Sequence, residues 1–189
     1  VLVTLGGGPA ALGITTGLQF LPFLLVAPFG GMLADRLPKR RLLIVTNGFL
    51  GTIGVTLGLL VVTDLAQVWH VYVLAFLLGV GAALDPPARN TFAAELVEPD
   101  DLANAVGLNS ASFNAARLIG PGVAGLLIAA VGTGWVFMIN AVTFGATIFA
   151  LPRMTKSELS PMPITARAKG QLREGIAYVR GRSDILVIM

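Results

Sequence analysis

The chain has 189 residues; 55% are hydrophobic and 12% are charged. A soluble globular domain carries about 25% charged residues, so this chain has too little polar surface to solvate a compact body. The charges are also unevenly spread: residues 1–34, 42–63 and 118–152 contain none. About 20 apolar residues suffice for a helix to cross a bilayer core of roughly 30 Å, so three such runs exclude an ordinary soluble fold. With no cysteine and one histidine, His70, there is no disulfide framework or thiolate site, and no metal or cofactor is expected. An isoelectric point near 9.8 raises nucleic acid as a partner, but the placement of the basic residues argues for a membrane instead.

Taken in chain order, the first residues lack a basic region followed by a small-residue cleavage site, so no signal peptide is expected. There is no initiator methionine, and 184–189 opens a further apolar segment, so the chain reads as part of a longer polypeptide. Gly6-Gly7-Gly8-Pro9 predicts a turn, and a first span follows at about 11–33. The second is predicted at 42–62, and the third at 68–84, stopped by Asp85-Pro86-Pro87. The fourth runs over 102–131, then Gly132-Thr133-Gly134 as a tight loop, then the fifth over 135–151. Helix is the reading because an open strand edge in lipid leaves backbone groups unsatisfied. Barrel strands would show alternating segments of about ten residues. Residues 1–152 thus predict an all-α polytopic membrane helix bundle.

From Thr155 to Lys169 the chain turns polar, with Pro161 and Pro163. Gln171–Arg182 then has Leu172, Ile176 and Val179 on one helical face. Residues 153–183 are therefore expected to form a linker with a short amphipathic helix; a lipid-binding or regulatory site is the alternative. Twelve of the thirteen lysines and arginines fall on one side of the spans: Arg36 to Arg41, Arg89, and seven beyond Pro152. The opposite segments, 1–10, 63–67 and 132–134, hold none. Basic loops stay in the cytoplasm, so a multi-pass protein of the plasma (inner) membrane is expected, with loops and linker cytoplasmic. Trp69, Tyr72 and Trp135 near the other face fit an interfacial belt. The bilayer is then a partner and nucleic acid is not.

Helices in lipid associate through small residues, and Gly13-x-x-x-Gly17, Gly54-x-x-x-Gly58 and Gly120-x-x-x-Ala124 offer three close-approach faces. The segment after the first span reads Gly31-Met32-Leu33-Ala34-Asp35-Arg36-Leu37-Pro38-Lys39-Arg40-Arg41. Asp35 falls at a helix C-terminus, where the macrodipole disfavours a negative charge. It needs donors, and Arg36, Lys39 and Arg89 are available. An incidental aspartate in a basic loop is the plainer alternative; a charge cluster that latches helices and releases during conformational exchange is the reading preferred.

This stretch resembles the G-x-x-x-D-R/K-x-G-R/K-R/K signature between the second and third helices of major facilitator superfamily transporters. Gly31, Asp35, Arg36, Lys39 and Arg40 match it, and Pro38 replaces the second glycine. The resemblance implies a conformational-coupling loop, with Asp85 and Arg89 as partners in its charge network. In the fourth span, Gly120-Pro121-Gly122-Val123-Ala124-Gly125 resembles the G-P-x-x-G/A-G signature of exporting members, carried by Gly120, Pro121, Ala124 and Gly125. A plain packing kink at proline is the alternative. The resemblance covers the whole chain. It implies helices two to six and the central linker of a major facilitator fold, with the remaining helices of the same polypeptide as partners. Asp85-Pro86-Pro87-Ala88-Arg89 and the run Asn114 to Pro121 are similar to the subgroup of enterobactin exporters and macrolide-type efflux proteins. The arginine that many drug–proton antiporters carry before a Gly-x-Gly is absent from Leu74–Gly81.

Arg117 lies some fifteen residues into the fourth span, about 22 Å along the helix. An arginine at that depth needs water, a partner or an anionic ligand, and no acid is expected at comparable depth. A structural arginine bonded to helix carbonyls is the alternative. Gln19, Asn109, Ser112, Asn114 and Asn140 complete the cavity candidates, with an interhelical hydrogen bond the plainer role for each. No phosphate-cradling glycine loop occurs, and the spans hold no acid–base or nucleophile pair, so an enzyme is not expected. The expectation is a secondary active transporter that works by alternating access. It would couple protons to efflux of a small amphipathic molecule such as a drug or siderophore. An importer of a lipid-like or nutrient substrate is the alternative.

Overall fold

The computed structural model describes residues 1–154, apart from the side chains of 27–36, Ala94 and Pro99. The polar linker, the Gln171–Arg182 helix and the segment 184–189 lie outside the described residues. Five helices follow one another: α1 Pro9–Arg36, α2 Lys39–Val62, α3 Val68–Glu95, α4 Leu102–Val131 and α5 Thr133–Ala150. Short 3-10 turns occupy Pro99–Asp101 and Leu151–Arg153. All five helices are long and apolar enough to cross a membrane, and there is no strand among the described residues.

The connections are short and locally satisfied. Pro9 opens α1, where its missing N–H costs no hydrogen bond. Only Leu37-Pro38 separates α1 from α2. Pro38 has φ −56°, a value the ring favours, and its carbonyl accepts the N–H groups of Arg41 and Leu42 at 2.9 and 3.0 Å. Between α2 and α3, Asp64 adopts φ 56°, and the N–H groups of Leu65 and Ala66 both donate to Leu60 O. His70 has a local task here: its Nδ1 accepts the Gln67 N–H at 3.1 Å at the start of α3. The loop expected at 132–134 contracts to one residue, Gly132 at φ +84°, a backbone region glycine enters without a Cβ penalty.

The third helix does not stop at Asp85-Pro86-Pro87. It continues to Glu95 with both prolines inside it. Ala83, before the prolines, and Ala88 and Phe92, after them, are all buried. Ala88 and Phe92 share a core with Leu42, Leu43 and Leu151. Packing on both sides of the prolines thus outweighs the lost donors. Thr91 adds a hydrogen bond to Pro87 O at 2.8 Å.

α3 lies along α1 and against α2, and α2 lies along α5; α4 touches α3 and α5 more lightly. Close approach depends on glycine. A Cβ on Gly79 would collide with the carbonyl oxygen of Gln19 in α1. One on Gly58 would come within 3.1 Å of Gly134 O in α5. Of the three glycine faces expected from sequence, only Gly54-x-x-x-Gly58 is such a contact. Gly13, Gly17 and Gly120 meet nothing within 4 Å among the described residues, because neither that face of α1 nor that of α4 packs on a described helix. No residue of α4 is buried.

Candidate functional site

Polar groups concentrate where α2 crosses α3. On α2, Lys39, Leu42, Leu43, Thr46, Asn47 and Leu50 recur at helical spacing and are all buried. On α3, Asp85, Ala88, Phe92 and Glu95 form the matching stripe. The apolar members make the core and the polar members meet inside it.

Two ties result. Nearer the helix ends, Lys39 Nζ and Glu95 Oε1 are 3.4 Å apart with side chains only 7% and 10% exposed. Deeper in the seam, Asp85 gathers donors from both helices. Its Oδ1 accepts from Thr46 Oγ1 at 3.2 Å and Asn47 Nδ2 at 3.1 Å. Its Oδ2 accepts from Arg89 Nε at 3.0 Å, and Arg89 Nη2 is also 3.0 Å away. Asp85 is 14% exposed and Arg89 47%, so the carboxylate is held in the seam and the guanidinium reaches outward. Asn47 is 1% exposed, and its Oδ1 has no hydrogen-bond partner among the described residues. A buried acceptor left unpaired costs about 1–3 kcal/mol, so this one stands out.

A cavity of about 390 Å³ opens beside Asp85 between α3 and α4, lined by Arg89, Asn90, Asn109, Ser110 and Asn114 among others. Asn109 Nδ2 donates to Asn90 Oδ1 at 3.1 Å across the two helices, and Asn114 Nδ2 donates to Ser110 O at 2.9 Å.

The structure therefore distributes the residues singled out in the sequence. Asn109 and Asn114 line this cavity; Gln19, Arg117 and Asn140 do not. Arg117 is exposed on α4. Gly120, Pro121 and Gly125 are exposed too, and Ala124 is half-buried. The side chains of Gly31, Asp35 and Arg36 lie outside the described residues. Arg40 is half-buried, and among the described residues only Lys39–Glu95 and Arg89–Asp85 form ion pairs. Arg89 thus meets Asp85, and the carboxylate opposite Lys39 among the described residues is Glu95. The longer α3 carries Asp85 within an apolar span of Val68–Ala93, and Arg117 does not line the cavity beside it. Sequence reasoning missed Thr46, Asn47, Asn90 and Glu95. Only the Thr46-Asn47 pair, two polar residues inside an apolar run, gave a visible signal.

Charged and amide groups enclosed by long apolar helices define a multi-pass membrane protein with a polar seam inside its bundle. Comparison with known proteins narrows this. Residues 3–189 match the family described as transmembrane secretion effector, and the chain belongs to that branch of the major facilitator superfamily of transporters. It is 30% identical over 165 residues to the Uncharacterized MFS-type transporter YfiS of Bacillus subtilis, covering 85% of this chain and 38% of that protein. It is 33% identical over 144 residues to the Lysophospholipid transporter LplT of Photorhabdus laumondii, covering 71% and 32%. It is 24% identical over 191 residues to Macrolide efflux protein A of Streptococcus pyogenes, covering 97% and 46%. The chain thus spans less than half the length of these relatives.

Proposed function

We propose that this chain supplies one helical half of a secondary active exporter. It works by alternating access and couples efflux of a small amphipathic molecule, a drug or siderophore, to a proton gradient. The observation that carries the reading is the α2–α3 seam, with its two ties of limited number and defined partners, Lys39–Glu95 and Asp85 with Thr46, Asn47 and Arg89. A transporter needs helices that are firmly joined in one state and separable in another, and interfaces of this kind are bistable rather than continuously deformable. The basic ends of the helices face the cytoplasm by the positive-inside rule. Asp35, Arg36 and Arg40 belong with Lys39 to the coupling loop, and the Gly120-Pro121-x-x-Ala124-Gly125 run supports export.

The relatives are named for macrolides and for lysophospholipids, two amphipathic classes. The lysophospholipid name also favours the second reading, inward movement of a lipid-like substrate. Uptake into inside-out vesicles holding the full polypeptide separates the two. Gradient-dependent accumulation of a macrolide or catecholate siderophore, abolished by an uncoupler and weakened by Asp35→Asn, is the expected result. Uptake seen only in right-side-out vesicles would make the protein an importer.

A further inference from the structure

The deeper tie has a property the outer one lacks. Asp85 lies ten residues before Glu95 on a continuous helix, about 15 Å inward at 1.5 Å per residue. An ionisable group at such depth marks a functional site unless its charge is permanently matched. Here the match is adjustable. Thr46 has one hydroxyl proton and two acceptors at the same distance, Asp85 Oδ1 and Leu43 O, each 3.2 Å away. It can serve the carboxylate when Asp85 is charged and turn to the backbone when it is not. Asn47 holds an acceptor in reserve: its Nδ2 serves Leu43 O at 2.8 Å and Asp85 at 3.1 Å, while its fully buried Oδ1 meets no donor among the described residues. Rotation of that amide would bring Oδ1 toward Asp85, where it could accept a carboxyl O–H. Both protonation states of Asp85 are therefore satisfiable by the same two neighbours. The cavity between α3 and α4 borders Asp85 and supplies polar groups along which water could deliver a proton.

We infer that Asp85 is the intramembrane proton-binding group of this transporter, with Thr46 and Asn47 as its protonation-adaptive partners. When a proton adds to Asp85, the carboxylate loses its charge and Arg89 loses its counter-ion. The bonds from Thr46 and Asn47 on α2 then no longer meet a charged acceptor, which weakens the α2–α3 tie, and the guanidinium, whose pair with Asp85 lies within α3, is released toward the cavity. Loss of the proton to the other side restores the pair. Among the described residues, Arg89 is the charge in contact with Asp85. α2 presents the uncharged Thr46 and Asn47, and α4 presents Asn109, Ser110 and Asn114; Lys39 and Glu95 pair with each other nearer the helix ends. The side chains of Asp35 and Arg36, at the end of α1, lie outside the described residues. The inference rests on the proton-coupled reading above and names the residue that carries it.

The test uses the full polypeptide in vesicles, with macrolide accumulation under an imposed pH gradient and macrolide exchange at equal pH on both sides. Asp85→Asn is expected to abolish gradient-driven accumulation and to flatten the pH profile of exchange. Retention of both the accumulation and the wild-type pH profile by Asp85→Asn would overturn the assignment. If the wild-type protein itself ignores the gradient, the proton-coupled reading falls with it, and the two failures are thereby told apart. Should the asparagine variant not fold, the wild-type protein still decides. A hydrophobic carbodiimide, which attacks protonated carboxyl groups in apolar surroundings, should modify the Asp85 peptide less as pH rises. Modification independent of pH, or none at any pH, counts against the inference. Asp85→Glu, keeping the carboxyl group, should accumulate substrate with a displaced pH profile, and a profile identical to wild type would also count against it.

Discussion

Lys39 and Glu95 illustrate what a single residue does in this seam. Each is nearly enclosed, yet their separation of 3.4 Å lets one charge answer the other. Removing one partner strands the other in an apolar surround at a cost of about 3–5 kcal/mol, whereas replacing both with apolar groups of similar volume is often neutral. Lys39→Met alone should therefore lower the thermal unfolding midpoint of the detergent-purified full polypeptide, and Lys39→Met with Glu95→Met should recover most of the loss. Equal losses in single and double variants would mean the two side chains do not depend on each other. If the pair also serves as a releasable latch, the double variant should be stable but slow in transport, so stability and rate part company.

At the scale of helices, the contacts that matter are backbone approaches, and they make unequal demands on glycine. Gly79 brings α3 so near the Gln19 carbonyl that a methyl group cannot fit, while Gly13 faces open space among the described residues. Gly79→Ala should force α1 and α3 apart, at a cost in the range of about 1–3 kcal/mol typical of overpacking. Gly13→Ala should leave the unfolding midpoint unchanged or raise it, since alanine is the better helix former. Comparable losses in both variants would contradict this packing. The five helices were legible because lipid demands long apolar runs, and such runs survive any tertiary arrangement. The end of α3 was not, because Pro86 and Pro87 are read locally as a stop, whereas the burial of Ala83, Ala88 and Phe92 that keeps the helix going is a property of the helices packed around it. Partner choice was hidden for the same reason: nothing in the spacing tells Lys39 to meet Glu95 and leaves Asp85 to Thr46 and Asn47. The glycine faces show the converse error, since Gly-x-x-x-Gly marks a surface able to pack without saying that anything packs there.

For the whole molecule, α4 is where this chain looks outward. None of its residues is buried, and the two sides of the helix differ in chemistry. Ser110, Asn114, Arg117 and Pro121 recur at helical spacing on one stripe, the first two lining the cavity beside Asp85. Leu108, Ile119 and Leu126 occupy the opposite side and are all exposed. In a transporter built around a central path, the polar stripe belongs to water and substrate and the apolar side to lipid or packed helices. The 189 residues contain no cysteine, so a single one introduced here can be read without interference from this segment. In the full polypeptide, Asn114→Cys should react with a membrane-impermeant maleimide from the basic side, and bound macrolide should slow the reaction. Leu126→Cys should resist that reagent. The labelling is scored on the peptide that carries each cysteine, which separates it from thiols elsewhere in the polypeptide. The reverse pattern would place the Arg117 stripe against other helices and move the transport path away from α4. Arg117 would then be a structural arginine, and the polar seam between α2 and α3 would act on transport only through the movement of helices.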